Sequence, residues 1–256
     1  MVSLPKGLDI EKDKFENAFA NNTHGAGFAY AKDGELFTSK GFFKFEEFYA
    51  AYTAIGKEVP RIVHFRQSTG GAKNDVNCHP FVISKDICFS HNGTFSGFTP
   101  TTEESDTNLY NQTILRPLLE KDYTLIHKGH IQWLISTSVS KNKLLFLDKD
   151  GHVAIINPQE GHFDKVHPEI WYSGYAHTFI LWKSSTTYHS NGAKTTTFNN
   201  NSRTPNQWDE GSVSSNPDEE TYPEWLNRHL VAFFESRKPK TEDKAKTQPL
   251  ALADKV

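Results

Sequence analysis

Four short motifs follow one another between residues 64 and 107, and each carries a polar group that could bind or activate a small molecule. They are HFRQSTGG (64–71), NCHPF (77–81), SHNG (90–93) and ESDT (104–107). Arg66 offers a planar fork for a carboxylate, and Asp106 offers a carboxylate for an ammonium group. Asn92 and Gly93 supply a side-chain amide beside a backbone N–H, the donors that an oxyanion hole requires. The set predicts recognition of both ends of an amino acid.

Each motif also has an ordinary structural explanation. Arg66 would be a surface charge at the end of a strand, and Asp106 would cap a helix. Asn92 and Gly93 would form a tight hairpin turn, because both residue types tolerate a positive φ. A turn and a donor pair are compatible, since the same backbone conformation can expose the Gly93 N–H.

Together the four motifs resemble the glutaminase domain of the class II glutamine amidotransferases, which are N-terminal-nucleophile hydrolases. That family carries Arg-x-x-Thr-(His)-Gly, then Asn-x-His-Pro, His-Asn-Gly and Ser-Asp-Thr, and this chain has all four in that order. The Gly-rich segment NNTHGAGFAY (21–30) is also similar to the family's early strand. The resemblance covers about residues 1–182, and it points to short stand-alone members of the kind found in phage genomes.

The resemblance implies a role for five residues. Arg66 would hold the α-carboxylate of glutamine, with Thr69 lining the same pocket, and Asp106 would hold the α-ammonium. Asn92 and Gly93 would form the oxyanion hole. The implied activity is hydrolysis of the glutamine side-chain amide, without a cofactor or metal, to give ammonia for a separate synthetase or transferase.

The family's nucleophile is absent from its expected place. It is a cysteine exposed as the first residue, whose own α-amine acts as the base, whereas this chain begins Met1-Val2-Ser3-Leu4. Three explanations remain open: the native start differs and carries the cysteine; the domain is an inactive pseudo-amidotransferase that binds or regulates; or an internal residue acts instead. For the third, Ser3 has no free amine and Cys78 lacks a built-in base. Gly70 also stands where many family members have His.

Other chemistries find little support in the sequence. The 12 histidines include HKGH (127–130), but none shows the paired spacing of a zinc site. DKDG (148–151) has its glycine too early for an EF-hand loop, so it predicts a hairpin turn. The glycines of residues 25–27 precede a predicted strand rather than following one, which argues against a dinucleotide-binding loop.

Composition narrows the class of protein further. The net charge of −3 gives no reason to expect nucleic acid or an anionic membrane as a partner. No apolar run is long enough to cross a bilayer, and the N-terminus lacks the layout of a signal peptide. Two cysteines do not make a disulfide framework. We therefore expect a cytoplasmic protein, in the host cytoplasm if the protein is phage-encoded.

Apolar spacing predicts an α+β domain over residues 1–182. Helices are indicated around 15–19, 45–52 and 105–116, with Pro117 ending the third. Grouped strand patterns, one of them QWLIST (132–137), favour stacked antiparallel sheets with helices outside. The resemblance implies that this domain is a four-layer α-β-β-α sandwich of the N-terminal-nucleophile type.

The remaining residues, 183–256, predict a polar tail. Ser, Thr, Asn and acidic residues dominate 183–222, too polar to offset the entropy of ordering, so a disordered linker is expected there. Apolar residues at helical spacing predict one short amphipathic helix over 223–238.

Overall fold

Helices and strands come in groups along the chain in the computed structural model, which describes residues 1–178, 183–188 and 194–199. The strands are β1 (Val2–Leu4), β2 (Ala26–Lys32), β3 (Glu35–Phe42), β4 (Arg61–Phe65), β5 (Phe81–Ser84), β6 (Ile87–Asn92), β7 (Lys143–Asp148), β8 (Val153–Ile156), β9 (His162–Phe163), β10 (Trp171–Tyr172), β11 (Lys183–Tyr188) and β12 (Lys194–Asn199). The helices are α1 (Lys12–Asn21), α2 (Phe45–Thr53), α3 (Asp106–Tyr110), α4 (Arg116–Leu119) and α5 (Gly129–Val139). No helix among the described residues is long and apolar enough to cross a lipid bilayer.

The strands form two main antiparallel sheets. The larger has six strands in the order β3-β2-β4-β1-β10-β9, and the smaller runs in chain order from β5 to β8. In the larger sheet, β1 lies between β4 and β10, with Val2 opposite both Val63 and Tyr172. These pairings confirm the predicted α+β class with antiparallel sheets.

Three apolar clusters hold these elements together, because each sheet has residues to bury on both faces. One cluster joins α1 and α2 to the larger sheet and includes Phe15, Phe48, Tyr52, Phe28 and Val63. A second joins residues of both sheets and includes Ala29, Ile62, Cys88, Leu145 and Trp171. The third joins the smaller sheet to helical residues and includes Phe89, Phe146, Leu115, Leu119 and Ile135.

Residues 132–137 are helical, so the predicted strand there is wrong. They belong to α5, which buries Ile135 and Val139, four residues apart, while Trp133 is 68% exposed. A short apolar run fits a strand or a helix equally well by composition. In α5 the i, i+4 spacing places the buried residues on the face toward the smaller sheet.

Pro117 does not end the helical segment as predicted. After α3 the chain forms a π-helical turn, Asn111–Leu115, and then α4, with Pro117 in the first turn. Pro117 has no N–H to donate, and the turn before it is π-helical, with the Arg116 N–H donating to the Asn111 carbonyl. Leu115 and Leu119 are fully buried, so packing favours continuation of the helix.

Strands β11 and β12 lie within the predicted polar linker. They pair antiparallel from Lys183 opposite Asn199 to Tyr188 opposite Lys194. Both strands are rich in threonine, a β-branched residue that favours extended backbone. This pairing was not expected from composition. The predicted helix over 223–238 lies outside the described residues.

Candidate functional site

All five residues of the predicted constellation line one open cleft. Arg66 and Thr69 follow β4, and Asn92 ends β6 with Gly93 directly after it. Asp106 is the first residue of α3. The ends of two strands from different sheets and the start of a helix thus bring together residues that are up to 40 positions apart (106 − 66).

Arg66 places a buried guanidinium at the base of this cleft. Only 4% of the residue is exposed. Its Nη1 donates to the Ala72 carbonyl at 2.9 Å, and its Nη2 donates to the Gly70 carbonyl at 3.0 Å and to Ser68 Oγ at 3.1 Å. Burial lowers the pKa of Arg66, although Cys78 and Asp106 oppose this.

Two features make Arg66 a candidate anion-binding group. A guanidinium has five N–H donors, and Arg66 makes three such bonds among the described residues, all to the loop. No described carboxylate forms an ion pair with it. A buried charge is costly without a counter-ion, and a bound carboxylate would supply one.

Asp106 supplies the opposite charge and is 6% exposed. Its Oδ2 accepts a hydrogen bond from the Phe95 N–H at 2.7 Å, and its Oδ1 accepts one from the Thr107 N–H at 2.8 Å. Ser105, not Asp106, caps α3 by accepting from the Asn108 N–H. Asp106 has no ion-pair partner among the described residues. It can therefore accept a further donor from a ligand.

Asn92 and Gly93 present two donors to the cleft. Asn92 is exposed, and neither its side-chain amide nor the Gly93 N–H bonds to another described residue. The pair does not close a hairpin, because β6 is followed by α3. Gly93 has a φ of +142°, and an added Cβ would lie 1.9 Å from Asn142 Oδ1. Both the conformation and the crowding require glycine there.

Three buried histidines, His64, His79 and His91, also line the cleft, and no role was predicted for any of them. The rings of His64 and His79 stack with their centroids 3.9 Å apart, and the His91 N–H donates to His79 Nδ1 at 3.0 Å. The His91 ring contacts Thr107 Oγ1 at 2.8 Å and Asn142 Oδ1 at 3.0 Å. These contacts fix the strand end that carries Asn92. Each histidine belongs to one of the four motifs, but no local pattern distinguishes a buried histidine from an exposed one.

Burial lowers the pKa of all three histidines, to about 4 for His91. They are therefore neutral at pH 7. A neutral imidazole donates through one ring nitrogen and accepts through the other. In His91 this fits one bond to Asn142 and one to Thr107.

A second cleft adjoins the first and contains the start of β1. Met1 and Val2 line it, and Asn22, Phe65 and Asn92 belong to both clefts. The Met1 α-amino group donates to Ser173 Oγ at 2.8 Å. Burial and the charge of Lys143 lower the pKa of this amine to about 5. The Met1 amine is thus largely neutral at pH 7.

Neither internal residue considered as a replacement nucleophile lines the first cleft. Cys78 is fully buried, and burial raises the pKa of its thiol. Ser3 is buried in β1, where it pairs with Ile62 and Trp171. Their placement gives no support to an internal nucleophile. Both cysteines of the chain, Cys78 and Cys88, are free thiols.

Comparison with known proteins does not indicate a function for this chain, so the function is inferred from the cleft. The chain is similar to an uncharacterised protein of Methanocaldococcus jannaschii, with 31% identity over 98 residues. The match covers 36% of this chain and 27% of that protein's length. No protein-family model matches the chain.

Proposed function

We propose that this chain is a glutamine-binding domain of the class II glutamine amidotransferase type. The observation that carries the proposal is the pair of buried, oppositely charged groups, Arg66 and Asp106. Neither has an ion-pair partner among the described residues. Both share a cleft with the Asn92 side-chain amide and the Gly93 N–H, which bond to no other residue in the described part of the chain. An α-amino acid carries a carboxylate and an ammonium group at one end, which matches this arrangement of charge.

In the proposed complex, the remaining Arg66 donors hold the α-carboxylate of glutamine, with Thr69 at the rim. Asp106 accepts from the α-ammonium group. The side-chain amide then extends toward Asn92 and Gly93, where the two clefts meet. Negative charge that develops on the amide oxygen is stabilised by those two donors.

Turnover in this arrangement requires a nucleophile at the start of β1. A thiolate there attacks the amide carbon of glutamine, the C–N bond breaks, and the nitrogen leaves as ammonia after protonation. Water then cleaves the thioester to release glutamate and restore the thiol. We propose that the ammonia passes to a separate synthetase or transferase.

The layer order supports the same proposal at the level of the fold. Helices α1 and α2 pack on the larger sheet, the two sheets share a cluster, and further helical residues pack on the smaller sheet. We propose that this is the four-layer α-β-β-α sandwich of the N-terminal-nucleophile hydrolases. In that fold the nucleophile lies at the start of a central strand, and β1 has such a position in the larger sheet.

Val2 favours a second function. It lines the cleft at the start of β1 but carries no thiol or hydroxyl. With valine at this position, the domain would bind glutamine without hydrolysing it. The second candidate is therefore a pseudo-amidotransferase that acts as a glutamine-binding or regulatory module.

The test compares chains with Val2, Val2→Cys and Val2→Ala, each with Met1 removed. Calorimetric titration with glutamine measures binding, and release of ammonia and glutamate measures turnover. We expect all three to bind glutamine and only Val2→Cys to turn it over, since alanine shortens the side chain without supplying a thiol.

The outcomes separate the proposals. Binding without turnover in every chain favours the regulatory module. If no version binds glutamine, the cleft has been assigned to the wrong ligand. Activity in the Val2 chain would mean that the nucleophile lies elsewhere.

A further inference from the structure

Three potential metal ligands meet at the end of β7 that lies away from the cleft. Lys143, the first residue of β7, pairs with Asn92, whereas Asp148 is the last. There His127 Nε2 lies 2.8 Å from Asp148 Oδ2, and His152 Nδ1 lies 3.5 Å from the same oxygen. All three ligand atoms lie within 4.8 Å of one another. We propose that these side chains bind a zinc ion, with a solvent molecule as the fourth ligand.

The spacing suits a tetrahedral ion after a small adjustment. Ligand atoms about 2.1 Å from zinc lie roughly 3.4 Å apart at tetrahedral angles. The separation of 3.5 Å between Asp148 and His152 already fits, and the 2.8 Å hydrogen bond from His127 must lengthen. The His152 side chain is 65% exposed, so it can move toward the ion without disturbing the core.

The donor set favours zinc over the common hard cations. Two of the three donors are imidazole nitrogens, whereas magnesium and calcium prefer oxygen ligands. The nearby ammonium group of Lys149 is paired with Asp86 at 3.1 Å, which offsets its repulsion of a cation. Exposure of His152 also leaves room for a solvent ligand.

The β7–β8 turn alone does not explain this convergence. Asp148 holds that turn through Oδ1, which accepts from the Asp150 and His152 N–H groups at 2.9 Å each. This part of the structure confirms the hairpin predicted from DKDG. The other oxygen, Oδ2, is the one directed at both imidazoles. The sequence did not predict this site because its ligands are 21 and 4 residues apart (148 − 127 and 152 − 148) and form no known motif.

Titration of the full chain with zinc, after treatment with EDTA, tests the proposal. Isothermal calorimetry should detect one site in the unmodified protein. His152→Gln and His127→Gln should each weaken zinc affinity by at least about tenfold. Replacing a residue that only hydrogen-bonds to a metal ligand already costs about tenfold or more, and a direct ligand should cost no less. His130→Gln is the matched control, because His130 is exposed, follows closely after His127 and is not in the cluster.

Each result bears directly on the site. Absence of zinc binding by the unmodified chain overturns the proposal. So does a zinc affinity in both cluster variants that equals that of the unmodified chain. An equal loss in the His130→Gln chain would point to the HKGH segment instead. Far-ultraviolet circular dichroism of the His152→Gln chain shows whether lost affinity reflects lost folding, and the exposure of that side chain predicts an unchanged spectrum.

Discussion

Some residues of the cleft hold its loops in place through hydrogen bonds, and others have side chains that can bond to a ligand. Arg66 does both, since it is bonded to three oxygens of the 68–72 loop. Loss of ligand binding in an Arg66→Ala chain would therefore mix a lost contact with a displaced loop. Asn92 is the cleaner probe, because it is exposed and bonds to no described residue through its side chain.

We expect Asn92→Ala, made in the Val2→Cys chain, to lower kcat by about 10²–10³-fold, the cost of losing one oxyanion-hole donor. Glutamine affinity should change little, because the lost bond acts mainly in the transition state. The unfolding free energy should stay within about 0.5 kcal/mol, as for other exposed positions. Steady-state kinetics, calorimetry and urea unfolding measure the three quantities.

Gln112→Ala is the control for this variant, because it removes an exposed amide that does not line the cleft. It should leave kcat unchanged. A fall in glutamine affinity that matched the fall in kcat would mean that Asn92 contacts the ground state. The oxyanion-hole assignment would then fail.

The grouping of the five candidate residues, which line one cleft, could be predicted because their motifs are local. Each motif spans at most eight residues, and its order in the chain is visible directly. The supporting contacts could not be predicted, because they join distant segments. Asn142, which bonds His91 across 51 positions, lies in no motif. Its role depends on the pairing of β6 with β7.

Among the elements, α5 shows where sequence patterns are ambiguous. Alternation in a strand would place Trp133 and Ile135 on the same face. In α5 they differ sharply, with Trp133 68% exposed and Ile135 2% exposed. Helices α1 and α2 were predicted correctly, because their apolar residues recur at the i, i+3 and i, i+4 spacing of a helix. A six-residue apolar run carries too few repeats to decide.

This difference predicts unequal costs for two neighbouring substitutions. Ile135→Ala should destabilise the protein by about 2–4 kcal/mol, the usual cost of truncating a buried isoleucine. Trp133→Gln should change the unfolding free energy by less than about 0.5 kcal/mol, because its side chain is mostly in solvent. Urea unfolding of the two chains provides the measurement. Similar costs at both positions would contradict the helical assignment.

At the scale of the whole molecule, buried histidines make stability depend on pH. Burial lowers the pKa of His91, His162 and His177 to about 4, and it lowers those of His64 and His79 well below the usual 6.5. In the unfolded chain these groups bind protons as the pH falls through 6.5, while the folded protein holds them neutral. Protons therefore favour the unfolded state between about pH 6.5 and 4.

We expect the unfolding free energy to fall as the pH drops across that window. His91 alone should contribute on the order of 3 kcal/mol, at about 1.4 kcal/mol for each pKa unit. Urea unfolding at about pH 7 and about pH 5 measures the slope, which should become shallower in a His91→Gln chain. Stability that is constant or higher at the lower pH would contradict the buried, neutral state of these rings.

The central place of β1 in the larger sheet also has a consequence for protein synthesis. Its two neighbours are β4, made early, and β10, which ends at Tyr172. Translation at about 5–20 residues per second means that the ribosome needs roughly 10–30 s to reach Tyr172 after Val2. Until then, one side of β1 has no strand to pair with. The larger sheet can therefore be completed only after β10 has been synthesised. Until then the edge of β1 that will pair with β10 is available to other nascent chains.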